Sequence, residues 1–345
     1  MATAALSDSP TVTLDPRLTD THGRVIHDLR VSITDRCNYK CVYCRTGEVG
    51  AQYPELAIEE YLRLISLFVG LGITKVRLTG GEPLLRRGLV DLVARLAALR
   101  TCHGQPLDLA LTTNGHLLES LAAPLKAAGL NRVTVSMDAV DAPTFERITR
   151  VQGSFQAVLA GVRAARAAGL TPLKINCVLL RGFNDDQIEG FARFARDENV
   201  VVRFIEFMPL EEDRLWTPQI VVPLHEIVER MNRVLPLVEL PPHEASETAR
   251  RYTFSDGVGE IGIIAPVSQA FCGACSRVRL TSDGKIRTCL FSQVEHDLYG
   301  RLRTGATDQE LRAYIVATVQ QKEARHHIGE PGFLKPSRSM VHIGG

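Results

Sequence analysis

From about residue 29 to residue 208 the chain alternates between two hydrophobic rhythms. Short runs rich in Val, Ile, Leu and Thr fall at residues 29–34, 75–80, 107–113, 132–138, 173–180 and 201–208, the composition of buried parallel strands. Between them apolar positions recur at helical spacing. In residues 58–72, Ile58, Tyr61, Leu62, Ile65, Phe68 and Val69 share one face, and Gly70 and Gly72 supply a stop. Residues 90–99, 117–129, 155–169 and 188–198 behave similarly. The stretches VGLGITKVRL, KAAGLNRVTV and RAAGLTPLKI repeat one joint: helix end, Gly-Leu or Gly-Ile, strand. This pattern predicts six βα units with right-handed crossovers. A doubly wound sheet and an open, incomplete (βα) barrel satisfy it equally, and both gather ligands at the C-terminal ends of their strands.

The rhythm breaks after Pro209. An acidic, Pro-containing linker, PLEEDRLWTPQIVVP, precedes a short helix at 223–234, and residues 250–265 read as strand. RVRLTSDGKIRTCLF reads as a hairpin turning at Ser282-Asp283-Gly284, and a last helix covers about 307–323. A domain boundary is expected near residues 210–220.

Composition narrows the classes. With 345 residues, 45% hydrophobic content and a net charge of +1, the chain is an ordinary globular protein, large enough for one large and one smaller domain. It has no polyelectrolyte signature for nucleic acid or membrane binding, so an anionic substrate must be met by locally placed Arg and Lys. No apolar stretch approaches the length of a membrane span. The first residues, MATAALSDSPTVTLDPRLTD, lack a signal-peptide pattern and read as a flexible lead-in over residues 1–23. A cytoplasmic location follows, where clustered cysteines bind metal or do redox chemistry rather than form disulfides.

Of the eight cysteines, Cys102 and Cys177 stand alone and read as structural thiols. The other six form two triads. Cys37, Cys41 and Cys44 follow the first strand at spacing C-x₃-C-x₂-C, with Tyr43 before the last. Three thiolates can hold a [4Fe–4S] cluster and leave one iron open for another ligand. In LTGGEPLLRR, after the second strand, Gly80 and Gly81 let the backbone approach a ligand closely, and Glu82 adds negative charge. The second triad is Cys272, Cys275 and Cys289. Zinc with His296 as a fourth ligand and a second open cluster both fit its spacing, and the cluster fits better because a second C-x₂-C pair is missing. Arg277 and Arg279 alternate on a strand and so face one side, an arrangement suited to phosphate.

The first cysteine motif, its aromatic residue and the GGEP element resemble the radical S-adenosylmethionine (SAM) enzymes. Arg-Val-Arg between the later cysteines and the ending MVHIGG narrow the resemblance to the GTP 3′,8-cyclases, the lyases that open molybdenum cofactor biosynthesis. It runs from about residue 24 to 345. It implies an incomplete (βα)6 TIM-type barrel over residues 24–212, capped at its mouth by a smaller α+β domain over 213–345. It also implies two [4Fe–4S] clusters, one on Cys37, Cys41 and Cys44 and one on Cys272, Cys275 and Cys289, whose open iron takes the guanine base. SAM contacts would be Tyr43, Gly81, Glu82, Ser136 and Met208, and GTP contacts Arg30, Arg77, Thr112, Lys174, Arg277, Val278 and Arg279. The first triad with Arg277 and Arg279 would be the catalytic set, and the Gly-Gly tail would thread into the site. In that family a deoxyadenosyl radical takes the ribose 3′ hydrogen and the C3′ radical adds to guanine C8. A flavodoxin or ferredoxin as reductant, a cyclic pyranopterin monophosphate synthase as consumer of the product, and a homodimer are the implied partners. The N-terminal extension and Arg36 are mild departures from the family pattern.

Two rival readings carry other predictions. A peptide maturase with an auxiliary cluster would bring more C-terminal cysteines, and a metal-stabilised binding module would make no deoxyadenosine. GVGEIG at 257–262 matches a dinucleotide-binding fingerprint but runs into a β-branched stretch and Pro, not a helix. His326 and His327 have no ligand-spaced neighbours and are expected to be structural.

Overall fold

The computed structural model describes residues 17–44 and 50–344. Six strands alternate with helices: β1 (Asp28–Ser32), α1 (Ile58–Gly70), β2 (Lys75–Thr79), α2 (Leu89–Ala97), β3 (Asp108–Thr113), α3 (Leu118–Ala127), β4 (Arg132–Ser136), α4 (Ala142–Thr149), α5 (Ser154–Ala167), β5 (Lys174–Leu179), α6 (Ile188–Asp197) and β6 (Val201–Glu206). All six strands pair in parallel and in sequence order. That order decides between the two expected folds. A doubly wound sheet reverses direction at a switch point, whereas this one winds one way only, as a barrel does.

The barrel does not close on itself. After β6 the chain adds α7 (Leu224–Val234), β7 (Leu237–Leu240), β8 (Arg250–Phe254) and β9 (Glu260–Ile264), and β9 pairs in parallel with β6. It then crosses to the far edge, where β10 (Arg277–Leu280) pairs in parallel with β1. Next come β11 (Lys285–Arg287), β12 (His296–Asp297), α8 (Leu298–Arg303), α9 (Asp308–Val319) and α10 (Met340–Ile343). Segments after residue 209 therefore extend both edges of one twelve-stranded sheet. The crossing residues 265–276 carry Cys272 and Cys275 over the opening.

Burial follows the strand alternation. Leu29 and Val31 in β1, Val76 and Leu78 in β2, and Ile175 and Cys177 in β5 are fully buried in one continuous core with Phe68, Phe145 and Phe191. Each large apolar side chain buried there contributes about 1.5–3 kcal/mol. The residues alternating with them, Arg30, Arg77 and Asn176, point into the barrel interior and line a cavity. The expected Ser-Asp-Gly hairpin is present, with β10 and β11 antiparallel. GVGEIG forms a turn running into β9, not a helix.

Three features depart from the pattern. Helix α4 went unread, although Asp141 caps it by accepting from Thr144 N at 2.9 Å and Pro143 sits in its first turn. Residues 1–16 of the expected lead-in, and Gly345 of the expected tail, lie outside the described residues. Residues 17–23, also within that lead-in, form a tight turn: Leu18 is buried and its N–H donates to Leu71 O at 3.1 Å.

Candidate active site

Both cysteine triads line one cavity at the C-terminal ends of the barrel strands. The first stands on the loop after β1. Its backbone is held by Lys40 N to Thr149 O at 3.2 Å and Val42 N to Ile148 O at 3.0 Å, so the unread helix α4 is its support. Gly80 and Gly81 follow β2 and pack directly under this loop. Gly80 holds a φ of 148°, and a Cβ on Gly81 would stand 2.3 Å from Arg36 O. Only glycine allows that approach.

Tyr43 donates from its hydroxyl to Asp138 Oδ2 at 2.6 Å, and Val178 N donates to Oδ1 at 2.9 Å. Burial pushes the Asp138 carboxyl up to about 6 despite these bonds. Burial, and then the Asp138 charge, holds the Cys41 thiol well above its ordinary value. Nothing in the sequence reading singled out Asp138, although an acid ending a buried strand was a usable signal.

Glu82 is fully buried and turned away from the cavity wall. Its carboxylate accepts from Leu84 N at 2.9 Å, Thr113 Oγ1 at 2.7 Å and Asn114 N at 2.6 Å, tying the end of β2 to the end of β3. Burial raises it to about 7. Ser136 and Met208 line the cavity.

Deeper in the barrel runs a row of cations. Strand register places Arg279, Arg30 and Arg77 side by side across β10, β1 and β2. Arg77 Nη1 donates to Thr112 Oγ1 at 3.3 Å and Thr134 Oγ1 at 3.2 Å. Arg203, which the sequence reading missed, continues the row from β6, with Nε to Asn176 Oδ1 at 3.0 Å. An arginine inside an otherwise apolar buried strand was its signal. Burial and mutual repulsion lower these guanidiniums: Arg30 to about 10 and Arg203 to about 9, with burial the larger cause in each. Such a row is short of anions and suits a polyanionic ligand. Lys174 starts β5 beside it, lowered to about 8 by burial and then by Arg203. Val278 turns into the core on the opposite face of its strand, 1% exposed, so only its backbone faces β1.

Cys272 and Cys275 reach the cavity from the crossing segment, and Cys289 reaches it from just after β11. Arg277 Nη2 lies 3.4 Å from Cys275 Sγ. Burial, the largest single influence on that thiol, pushes it up, yet Arg277 and Lys322 more than reverse this and bring it to about 6. Among the described residues no three His, Cys, Asp or Glu side chains converge as a single ion would need. Each triad supplies three sulfur donors, a set that suits a cluster with one open iron better than a four-ligand zinc site. The last described residue also reaches the site, where the Gly344 carbonyl accepts from Arg279 Nη1. His326, expected to be structural, lines the cavity against Phe291, with ring centroids 5.1 Å apart. His327 is exposed and pairs with Glu330 at 2.8 Å. Cys177 is buried in the core, while Cys102 is exposed on a turn.

Comparison with known proteins adds independent findings. Residues 31–195 match the family model of the Radical SAM superfamily, and residues 200–328 that of Molybdenum Cofactor Synthesis C. The chain is 44% identical to a GTP 3′,8-cyclase of Moorella thermoacetica, covering 94% of this chain and 99% of that one. It is 43% identical to a GTP 3′,8-cyclase of Streptomyces coelicolor, over 95% of this chain and 96% of the relative. Among solved structures, Streptococcus suis SuiB bound to S-adenosylmethionine aligns with a TM-score of 0.56 at 15% identity, covering 81% of this chain and 65% of that one. At that identity the likeness shows a shared fold alone.

Proposed function

The chain belongs to the GTP 3′,8-cyclase family, and from that premise we propose how its residues divide the reaction. It is a radical SAM lyase that converts GTP to 3′,8-cyclo-7,8-dihydro-GTP in molybdenum cofactor biosynthesis, using a [4Fe–4S] cluster and SAM. When bound, these cofactors supply the deoxyadenosyl radical that starts the chemistry.

Cys37, Cys41 and Cys44 hold the SAM cluster, and Cys272, Cys275 and Cys289 hold a second one. Gly81, Tyr43, Ser136 and Met208 bind SAM. Glu82 acts one step back, fixing the strand ends on which Gly81 and Asn114 sit. Arg30, Arg77, Arg203, Arg279 and Lys174 take the triphosphate, with Thr112 orienting Arg77. Arg277 and the Val278 backbone hold the nucleotide toward the second triad. The observation that carries this reading is that both triads and the arginine row line a single cavity. Residues 24–212 act as the barrel and 213–345 as the cap, whose strands extend both of its edges. A flavodoxin or ferredoxin delivers electrons, a cyclic pyranopterin monophosphate synthase consumes the product, and the enzyme works in the cytoplasm, as a homodimer. Among the described residues no helix is long and apolar enough to cross a membrane.

The test is anaerobic reconstitution with SAM, dithionite and GTP, products being identified by mass spectrometry. Deoxyadenosine together with a cyclised GTP is expected. Deoxyadenosine without that product would sink the assigned substrate, and neither product despite intact clusters would point to a binding module. Cys289→Ala should keep the first cluster and lose cyclisation.

A further inference from the structure

The second triad is surrounded by two buried cations that grip its backbone. Lys322, 4% exposed, lies in the turn after α9. Its Nζ donates to Arg277 O at 2.9 Å and to Thr288 O. Arg277 lies two residues after Cys275, and Thr288 directly precedes Cys289. Arg24, 7% exposed, takes the remaining leg: Nη1 donates to Cys272 O at 2.9 Å. The same Arg24 binds Ala324 O at 2.9 Å and Glu323 O at 2.6 Å, and is oriented by Asp20 at 2.6 Å. Glu323 in turn accepts from Thr288 Oγ1 at 2.7 Å. One short turn, residues 322–324, is thus connected to all three ligand-bearing segments.

A packing role alone does not account for this. Burying an ammonium or guanidinium costs several kcal/mol unless its donors are satisfied, and an apolar side chain would fill the space more cheaply. What a cation adds is a fixed positive charge beside thiolates together with several directed donors. Lys322 also lines the cavity. The first triad is built differently. Backbone bonds hold its loop, and the buried ionisable groups next to it are the carboxyls of Asp35 and Asp138 rather than cations.

We propose that Lys322 and Arg24 are positioning residues for the second iron–sulfur cluster. They hold Cys272, Cys275 and Cys289 at the separation a cluster needs, and the Lys322 charge raises the potential at which that cluster is reduced. Hydrogen bonds and net charge around a cluster are known levers on its potential. The proposal rests on the second-cluster reading given above.

The experiment compares reconstituted full-length protein with Lys322→Met, Lys322→Arg and Arg24→Lys, by iron and sulfide content and by electron paramagnetic resonance during a reductive titration. Two clusters correspond to about eight irons per chain. Lys322→Met is expected to fall toward about four, or to keep its iron and shift the second signal to lower potential, while the first signal stays unchanged. Lys322→Arg should restore content and potential, and Arg24→Lys, too short to reach three carbonyls, should lose second-cluster iron. Full iron and unchanged potentials in both Lys322→Met and Arg24→Lys would overturn the proposal. Loss of the first signal as well would overturn it too, by showing a general folding role. Wild-type protein with only about four irons, insensitive to Cys289→Ala, would instead remove the second-cluster reading itself.

Discussion

Arg338 and Asp283 meet in two parallel contacts of 2.9 Å, with both side chains almost fully buried. The guanidinium also reaches Glu295 at 2.7 Å and lies 3.9 Å over the Tyr53 ring. It pins the segment leading to α10 onto the β10–β11 turn. Six residues further on, the Gly344 carbonyl rests on Arg279, which lies in the cationic row.

Arg338→Ala should therefore act at the substrate site as well as on stability. Removing one partner of a buried pair typically costs about 3–5 kcal/mol, because the remaining carboxylates lose their counter-charge. Thermal denaturation should show a lower Tm, and GTP binding by calorimetry should weaken. An unchanged Kd for GTP would mean that the tail is not coupled to the arginine row.

Lys174 gives a pH signature. Its amine titrates at about 8 in the folded protein, against an ordinary value of 10.5. A triphosphate favours the cation, so GTP affinity should fall as pH rises from about 7 to 9. Between about pH 8 and 10.5 the unfolded chain binds more protons than the folded one, so this group's contribution to stability rises with pH there. The two trends have opposite sign. In Lys174→Gln both slopes should shrink, and a pH profile of binding identical to wild type would exclude Lys174 from the triphosphate site.

Gly81→Ala tests the contact between the two loops at the mouth. The added methyl would stand 2.3 Å from Arg36 O, one residue before Cys37, and backbone cannot yield as a side-chain tip does. We expect SAM affinity to drop at least about tenfold, which is about 1.4 kcal/mol. Equal first-cluster content and SAM affinity would show that the loop relaxes freely.

Tyr43→Phe leaves Asp138 Oδ2 buried without its donor. A loss of about 1–3 kcal/mol is expected in the apoprotein. Asp138→Asn combined with Tyr43→Phe should recover part of that loss, since the amide oxygen still accepts from Val178 N and no unpaired carboxylate is left buried. Strict additivity of the two substitutions would argue that the pair does not interact.

The site was legible where its chemistry is local. Cys37, Cys41 and Cys44 sit within eight residues, and Cys272, Cys275, Arg277 and Arg279 within another eight, so spacing alone exposed them. Arg203, Asp138 and Lys322 carried no such neighbours. Each stands among apolar or ordinary surface residues and acquires meaning only beside groups far away in the chain, as Lys322 does next to Thr288 and Arg277.

By itself the sequence determined the run of six βα units, the Ser-Asp-Gly hairpin and both cysteine triads, because side-chain period, turn chemistry and cysteine spacing act over a few residues. The tertiary structure decided that the strands wind in one direction, and that β9 and β10 take opposite edges of the same open barrel. It also decided that the segment between them carries Cys272 and Cys275 across the mouth, to meet Cys289 from beyond β11. Those outcomes depend on which distant edges pair and which buried charges find partners. Arg24 with Cys272, and Arg338 with Asp283, are contacts between residues 248 and 55 positions apart, which no local pattern encodes.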